Sequence, residues 1–261
     1  MPDVQERLRE FARSMALPYL MELPKIKPHT ANLSFVLVGS AAAGLCREDS
    51  DVDIAIVCDK ATCEYVSEGQ SWSEGRPTLV RIQGTQLHYY AISFEQIEAK
   101  MAVLDDGALY LYGTAIIISD PSRRYESLLS RLKGLGCGTR KERLEGKMDM
   151  LLRRMRALEG CMSQDNPDEL VIAEIYLEII RRMLKIVALL DDISFNPRKR
   201  LFTTALMGRL GQRLEGVIRG LLSRVGGTES LKQLVKVLGQ EAESQGFRVG
   251  LDAPDRRQME A

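Results

Sequence analysis

The chain contains only two histidines, His29 and His88, a single tryptophan, and no formal net charge at neutral pH. Its 36 basic side chains balance 36 acidic ones, which excludes a globally basic surface for nucleic acid or an anionic membrane. Any polyanion contact must therefore be a local patch. No apolar run approaches the roughly 18 residues that a membrane-spanning helix requires. The opening MPDVQERLREFARSMALPYL carries acids and lacks a long apolar core, so a secretory leader is not expected. The five cysteines (Cys46, Cys58, Cys63, Cys137 and Cys161) are odd in number and include no C-x2-C pair. They read as free thiols in a reducing compartment, and a structural zinc site is disfavoured. The expected setting is cytoplasmic, with no membrane partner.

What the sequence has is apolar material: 45% of 261 residues, enough for a sizeable core in one or two domains. Val4, Leu8, Phe11 and Met15 recur at helical spacing and predict a helix over Val4–Leu17. Pro18 should end or kink it, having no amide hydrogen to donate. Strand signals follow at Ser34–Val38 and at Asp51–Val57, where aspartates alternate with Val52, Ile54 and Ile56. Between them, GSAAAGLCREDS is too long for a tight turn and has room for one short helix. Glu64–Gly75, with Trp72, reads as a charged helix or loop. Two more strands are predicted at Thr78–Gln83 and Gln86–Ile92, separated by Gly84 and Thr85, and Ser93 with Glu95 and Gln96 resembles a helix cap leading into FEQIEAKMAVL. An apolar run, Leu109–Ser119, closes the first domain at Asp120-Pro121.

From Ser122 onward the pattern is almost wholly helical, punctuated by Gly and Pro clusters, as in an antiparallel bundle. The predicted fold class is α+β: a small mixed β-sheet domain over residues 1–121, an α-helical bundle domain over 122–249, and a flexible tail over 250–261. The apolar helix around Ile172–Leu190 could bury against a second copy, as a homodimer, as well as internally.

The chemistry concentrates in VLVGSAAAGLCREDSDVDIAIV, Val36–Val57. Asp51 and Asp53 are one residue apart on a strand, so both carboxylates project from the same face. Such a pair repels itself and invites a divalent cation; hard oxygen donors of this kind suit Mg2+, which takes one or two carboxylates plus phosphate oxygens. Upstream, Gly39-Ser40 follows a buried strand directly. Gly39 lets a phosphate approach the backbone, and Ser40 adds a hydroxyl donor.

This segment resembles the signature of the DNA polymerase beta-like nucleotidyltransferase superfamily, a glycine-serine pair followed by a D-x-D strand. The resemblance implies a nucleotidyltransferase domain that transfers a nucleoside monophosphate, most simply AMP from ATP, to an acceptor with release of pyrophosphate. Gly39 and Ser40 would hold the triphosphate, and Asp51 and Asp53 would ligate Mg2+. A catalytic domain followed by helices also resembles the kanamycin nucleotidyltransferase-like architecture. That likeness implies that basic side chains of the bundle contact the triphosphate, with Lys147 and Lys199 as candidates. Most other bundle cations read as a solvated face making pairs such as Glu178–Arg182.

The sequence departs from the resembled pattern at one position. A third carboxylate is expected on a later strand, and in QLHYYAISFEQIE that place is taken by His88. An imidazole ligates metals but supplies no charge when neutral, and it suits Zn2+ or Mn2+ better than Mg2+. His88 is therefore either a third member of the catalytic group or a polar residue on a partly exposed strand. Glu95 or Glu98 could reach the site in its place, and Glu142 or Glu145 could act as the acceptor base. Alternative readings are a catalytically impaired nucleotide-binding regulator and an antitoxin-like protein modifier. The acceptor is a small molecule or a protein, with nucleic acid disfavoured. A helical RNase motif, Arg with a closely following His, is absent from the bundle, since neither histidine lies there.

Overall fold

The structure is a computed structural model describing residues 3–67, 77–193, 195, 200–223 and 228–247, with residues 136–138 as backbone only. The chain divides into two compact units, residues 1–137 and 138–261.

The first unit is built on five strands: β1 (Ser34–Val38), β2 (Val52–Cys58), β3 (Thr78–Ile82), β4 (Thr85–Ser93) and β5 (Ile116–Ser119). Around them lie α1 (Val4–Phe11), α2 (Leu17–Met21), the single turn α3 (Gly39–Ala42), α4 (Lys60–Ser67), α5 (Phe94–Ala102), α6 (Asp106–Gly113) and α7 (Arg124–Gly138). The strand order is β3-β4-β2-β1-β5. β1 is antiparallel to β2 and β5, and β4 is antiparallel to β3 but parallel to β2, so the sheet is mixed. Gln83 and Gly84 both have positive φ, 47° and 85°, the backbone that a tight two-residue hairpin demands.

β1 is buried along its length, and β2 is buried except at Asp53, as expected of strands covered on both faces. Side-chain alternation sorts the two faces. Phe35, Leu37, Ile54, Ile56 and Leu87 share a cluster with Leu8 of α1 and Leu20 of α2. Val36, Val38, Ala55 and Val57 share the other with Ile97 of α5, Tyr112 of α6 and Tyr125 of α7. Ser93 and Gln96 make the reciprocal capping box at the start of α5, as their spacing predicts.

Three features differ from the sequence pattern. Pro18 does not stop the N-terminal helix. The chain instead widens into a π-helical turn over Ala12–Ala16, with the Leu17 amide bonded to the Ala12 carbonyl five residues back. α2 then starts afresh with Pro18 in its first turn, where a missing N–H costs nothing. The apolar run Leu109–Ser119 is not one element but the end of α6 followed by β5. α7 belongs with the sheet rather than with the bundle, so the unit boundary falls at 137/138 instead of 121/122. Its Tyr125, Leu128 and Leu132 pack into the sheet's second cluster. Asp120 ties its first turn to β1 by accepting from Ser34 Oγ at 2.8 Å and from the Glu126 amide at 2.9 Å.

The second unit comprises α8 (Arg140–Met162), α9 (Glu169–Leu190), α10 (Leu201–Ala205), α11 (Arg209–Ser223) and α12 (Thr228–Ser244) around one apolar cluster. α9 is its axis. Ile186–Leu190 are all buried, while Leu170, Val171 and Leu177 at the other end are exposed. The buried C-terminus of α9 must still satisfy its last carbonyls. Arg140 does this, donating from Nε to Leu189 O and from its guanidinium to Leu190 O, both at 2.7 Å. The following Asp191 accepts from the Leu210 and Gly211 amides at 2.9 and 3.0 Å and so caps α11 from outside its own chain segment. The pair Glu178–Arg182 forms as the i,i+4 spacing predicts.

Cys46, Cys58, Cys63 and Cys161 are free. Among the described residues no helix is long and apolar enough to cross a membrane. The tail 250–261 and Trp72 lie outside the described residues.

Removing the Asp191 cap with Asp191→Ala should lower stability by about 1–2 kcal/mol, read from urea denaturation. A second expectation concerns acid. The Arg182 hydrogen bond holds the Glu178 carboxyl below the usual carboxylate range, and Arg213, 2.7 Å from Glu241, does the same there. A depressed folded-state carboxyl stabilises fully above its unfolded value and loses that contribution as pH falls through the folded one. Melting temperature should therefore hold above the ordinary glutamate value of 4.5 and fall below it. The combined Glu178→Gln/Glu241→Gln variant should show a shallower fall.

Candidate active site

Backbone register assembles the site. On β2, Asp53 pairs with Val38 of β1 on one side and with His88 of β4 on the other. The residue after Val38 is Gly39, so one row across three adjacent central strands brings the glycine turn, an aspartate and the histidine together. Asp51, two residues before Asp53, projects from the same face. That face also carries Ala55 and Val57, which pack against α5, α6 and α7. The site is thus the polar end of an otherwise apolar surface.

His88 Nδ1 lies 3.0 Å from Asp51 Oδ2 and 3.3 Å from Asp53 Oδ1. One ligand atom from each of the three lies within 4.8 Å of the others, the one such group among the described residues. Two carboxylate oxygens and an imidazole nitrogen at this separation fit a single divalent cation. The side chains are 40%, 29% and 18% exposed for Asp51, Asp53 and His88, so the ligand atoms are reachable from solvent.

Gly39 adopts φ +73°, and a Cβ built there would sit 2.4 Å from Asp53 Oδ2. Both facts require glycine: the left-handed backbone disfavours a side chain, and the carboxylate occupies the space. Ser40 follows in the first turn of α3 and is half-buried.

Glu95 and Glu98 do not complete the group. β4 ends at Ser93, paired with Cys58 at the far end of β2. Ser93 lies five residue steps along the strand from His88, about 17 Å. Glu95 is exposed, and Glu98 is paired with Arg131 at 2.6 Å. Lys147 is half-buried on α8 in the second unit, where Glu145 is half-buried and Glu142 exposed along the same helix, and Lys199 lies outside the described residues.

Sequence reasoning missed three neighbours. Gln86 Nε2 is 2.8 Å from His88 Nε2; the two-residue spacing on β4 was the available signal. Tyr90, on the same side of β4, meets the Tyr112 hydroxyl at 3.4 Å. Burial, then Tyr112 and more weakly Asp53, hold the Tyr90 hydroxyl well above its ordinary ionisation, and burial pushes Tyr112 up to about 12. Both therefore stay protonated at neutral pH. Tyr112 could be found only through the tertiary contact.

With this geometry in view, residues 21–109 match the profile of the nucleotidyltransferase domain family, a span that contains Gly39, Ser40, Asp51, Asp53 and His88. The first unit thus carries a segment that is similar to the nucleotidyltransferase domain. Among solved structures, the nucleotidyltransferase-like protein of Exiguobacterium sibiricum is similar at 12% identity and a TM-score of 0.49, over 97% of this chain and 86% of that one. No curated protein matches the chain significantly.

Gly39→Ala tests the close approach. It should cost about 1–2 kcal/mol from the backbone alone. Because Asp53 must move, it should also abolish any rise in melting temperature produced by added divalent cation.

Proposed function

We propose that this protein is a metal-dependent nucleotidyltransferase that moves a nucleoside monophosphate, most simply AMP from ATP, onto a small-molecule or protein acceptor. The supporting observation is the convergence of Asp51, Asp53 and His88 within 4.8 Å, beside the glycine turn at Gly39 and inside the segment that matches the nucleotidyltransferase domain.

In this reading Gly39 leaves the backbone open to the triphosphate, and the Ser40 hydroxyl donates to a phosphate oxygen. Asp51 and Asp53 would hold the cation. A divalent cation bound there would neutralise charge on the phosphate oxygens and orient them for in-line displacement. The acceptor nucleophile forms a bond to the α-phosphorus, the bond to the bridging oxygen of the β-phosphate breaks, and pyrophosphate departs with that electron pair. Mg2+ is the ion that two carboxylates and phosphate oxygens ordinarily favour, and His88 bears on that choice.

A second reading is favoured by one specific observation: His88 stands where a third carboxylate is expected, and neither Glu95 nor Glu98 substitutes for it. On that reading the domain binds nucleotide without efficient transfer and acts as a regulator.

The test uses ATP labelled at the α-phosphate, with Mg2+, Mn2+ or Zn2+, and a panel of aminoglycosides, purified proteins and tRNA. Transfer of label with release of pyrophosphate is expected, reduced on the order of 100-fold or more by Asp51→Asn or Asp53→Asn. Calorimetric nucleotide binding without pyrophosphate release would select the regulator instead. Silence in both measurements, alike for the wild type and the variants, sinks the enzyme.

A further inference from the structure

The imidazole of His88 has a partner on each nitrogen. Nδ1 faces both carboxylates, at 3.0 Å from Asp51 and 3.3 Å from Asp53, and Nε2 faces the side-chain amide of Gln86 at 2.8 Å. We propose that Gln86 is a positioning residue that sets which nitrogen of His88 carries the lone pair, and that the centre so formed selects Zn2+-like transition ions over Mg2+. The proposal rests on the reading above for the location of the metal centre.

In the structure the Gln86 amide nitrogen is the atom on Nε2. With the amide nitrogen in that place it donates and Nε2 accepts, an assignment that leaves Nδ1 as the nitrogen to carry the ring proton toward the two aspartates. That single N–H offsets the repulsion between two carboxylates on one face. It occupies the position in which a cation would serve the same purpose.

Coordination by His88 requires the opposite tautomer. Nδ1 gives up its proton to solvent, Nε2 takes one up, and the ring's proton count is unchanged. Nδ1 then offers its lone pair alongside the two carboxylate oxygens. The new Nε2–H needs an acceptor, since the outer nitrogen of a metal-bound histidine is ordinarily hydrogen-bonded and that bond sets ring orientation and basicity. A half-turn of the Gln86 amide supplies Oε1 at the same place. Of the side chains that could stand there, an amide can both donate and accept without changing charge. Glutamate can only accept when ionised, lysine and arginine only donate, and an aliphatic residue does neither.

The selectivity follows from the donor set. Mg2+ favours hard oxygen in near-octahedral geometry, whereas an imidazole nitrogen favours Zn2+ and its neighbours. Because most sites of mixed donors bind Zn2+ more tightly than Mg2+, the informative quantity is the ratio of the two affinities and its change on substitution.

The experiment is calorimetric titration of the full chain with Zn2+, Mn2+ and Mg2+ alone, in the wild type, His88→Asp, Gln86→Leu and Gln86→Glu. His88→Asp should lower the Zn2+-to-Mg2+ affinity ratio by at least about tenfold. Gln86→Leu should weaken Zn2+ about 10–100-fold while leaving Mg2+ unchanged. Gln86→Glu, a permanent acceptor for Nε2–H, should keep or raise Zn2+ affinity. A structural role alone would weaken both ions together. Heteronuclear NMR gives an independent readout, since only His29 and His88 contribute imidazole signals: on adding Zn2+, the His88 Nδ1 resonance should become metal-bound and Nε2 protonated. An unchanged ratio in His88→Asp, or equal effects on both ions in Gln86→Leu, overturns the proposal. If ATP still binds with Mg2+ in that case, the nucleotidyltransferase reading stands and only this inference fails. If neither metal nor ATP binds the wild type, that reading fails as well.

Discussion

The pairing of β2 with β1 on one side and with β4 on the other is the constraint on which the site depends. Its register sets Val38, Asp53 and His88 in one row. Sheet side chains alternate with period two, so a slip of one residue in either pairing would turn the carboxylates or the imidazole to the opposite face. The register is held by the apolar residues further along the strands. Val36, Ala55 and Val57 belong to one cluster, and Phe35, Ile54 and Ile56 belong to the other. A slip would exchange the two sets between surfaces of different shape. The packing that stabilises the sheet therefore also aims the ligands.

Much of this was legible in the sequence, for physical reasons that can be named. β1 and β2 are short and apolar, and the alternating aspartates interrupt only one face of β2, so strand and site announced themselves together. Gly84 marked the β3–β4 hairpin and Ser93 the start of α5, because turns and caps are local chemistry. What was not legible depended on contacts distant in the chain. Nothing local shows that β4 lies parallel to β2, which is why Glu95 and Glu98 remained candidates although they follow the far end of that strand. The amphipathic pattern of α7 is the same whether it packs on a sheet or in a bundle, and only Tyr125, Leu128 and Leu132 in the sheet's cluster decide it. Pro18 was misleading because a π-helical turn, which leaves little trace in composition, relieves it. Lys147 and Lys199 came from likeness of architecture, not from a local pattern.

The second unit shows how an almost continuously apolar helix end is tolerated. Ile186–Leu190 on α9 are buried, so water cannot serve the terminal carbonyls. Arg140 reaches Leu189 and Leu190 from the start of α8, and Asp191 satisfies the first amides of α11. Two charged side chains thus close a helix terminus and open another at the same place. The cation and the anion are matched to the carbonyl and amide ends that they face.

The parallel pairing of β2 and β4 also bears on when the site comes into being. Antiparallel neighbours such as β1 and β2 can meet by folding back over a loop, but parallel strands need a crossover before any of their rungs form. Here α4 and β3 lie between them in the chain. The closing of that long loop places His88 beside Asp53 only after the intervening segment has been laid down, a slow event in chains dominated by distant contacts. The rung that sets Gly39 beside Asp53 closes a much shorter stretch of chain than the one that sets His88 there, so the nitrogen donor is the member of the centre most dependent on contacts distant in the chain.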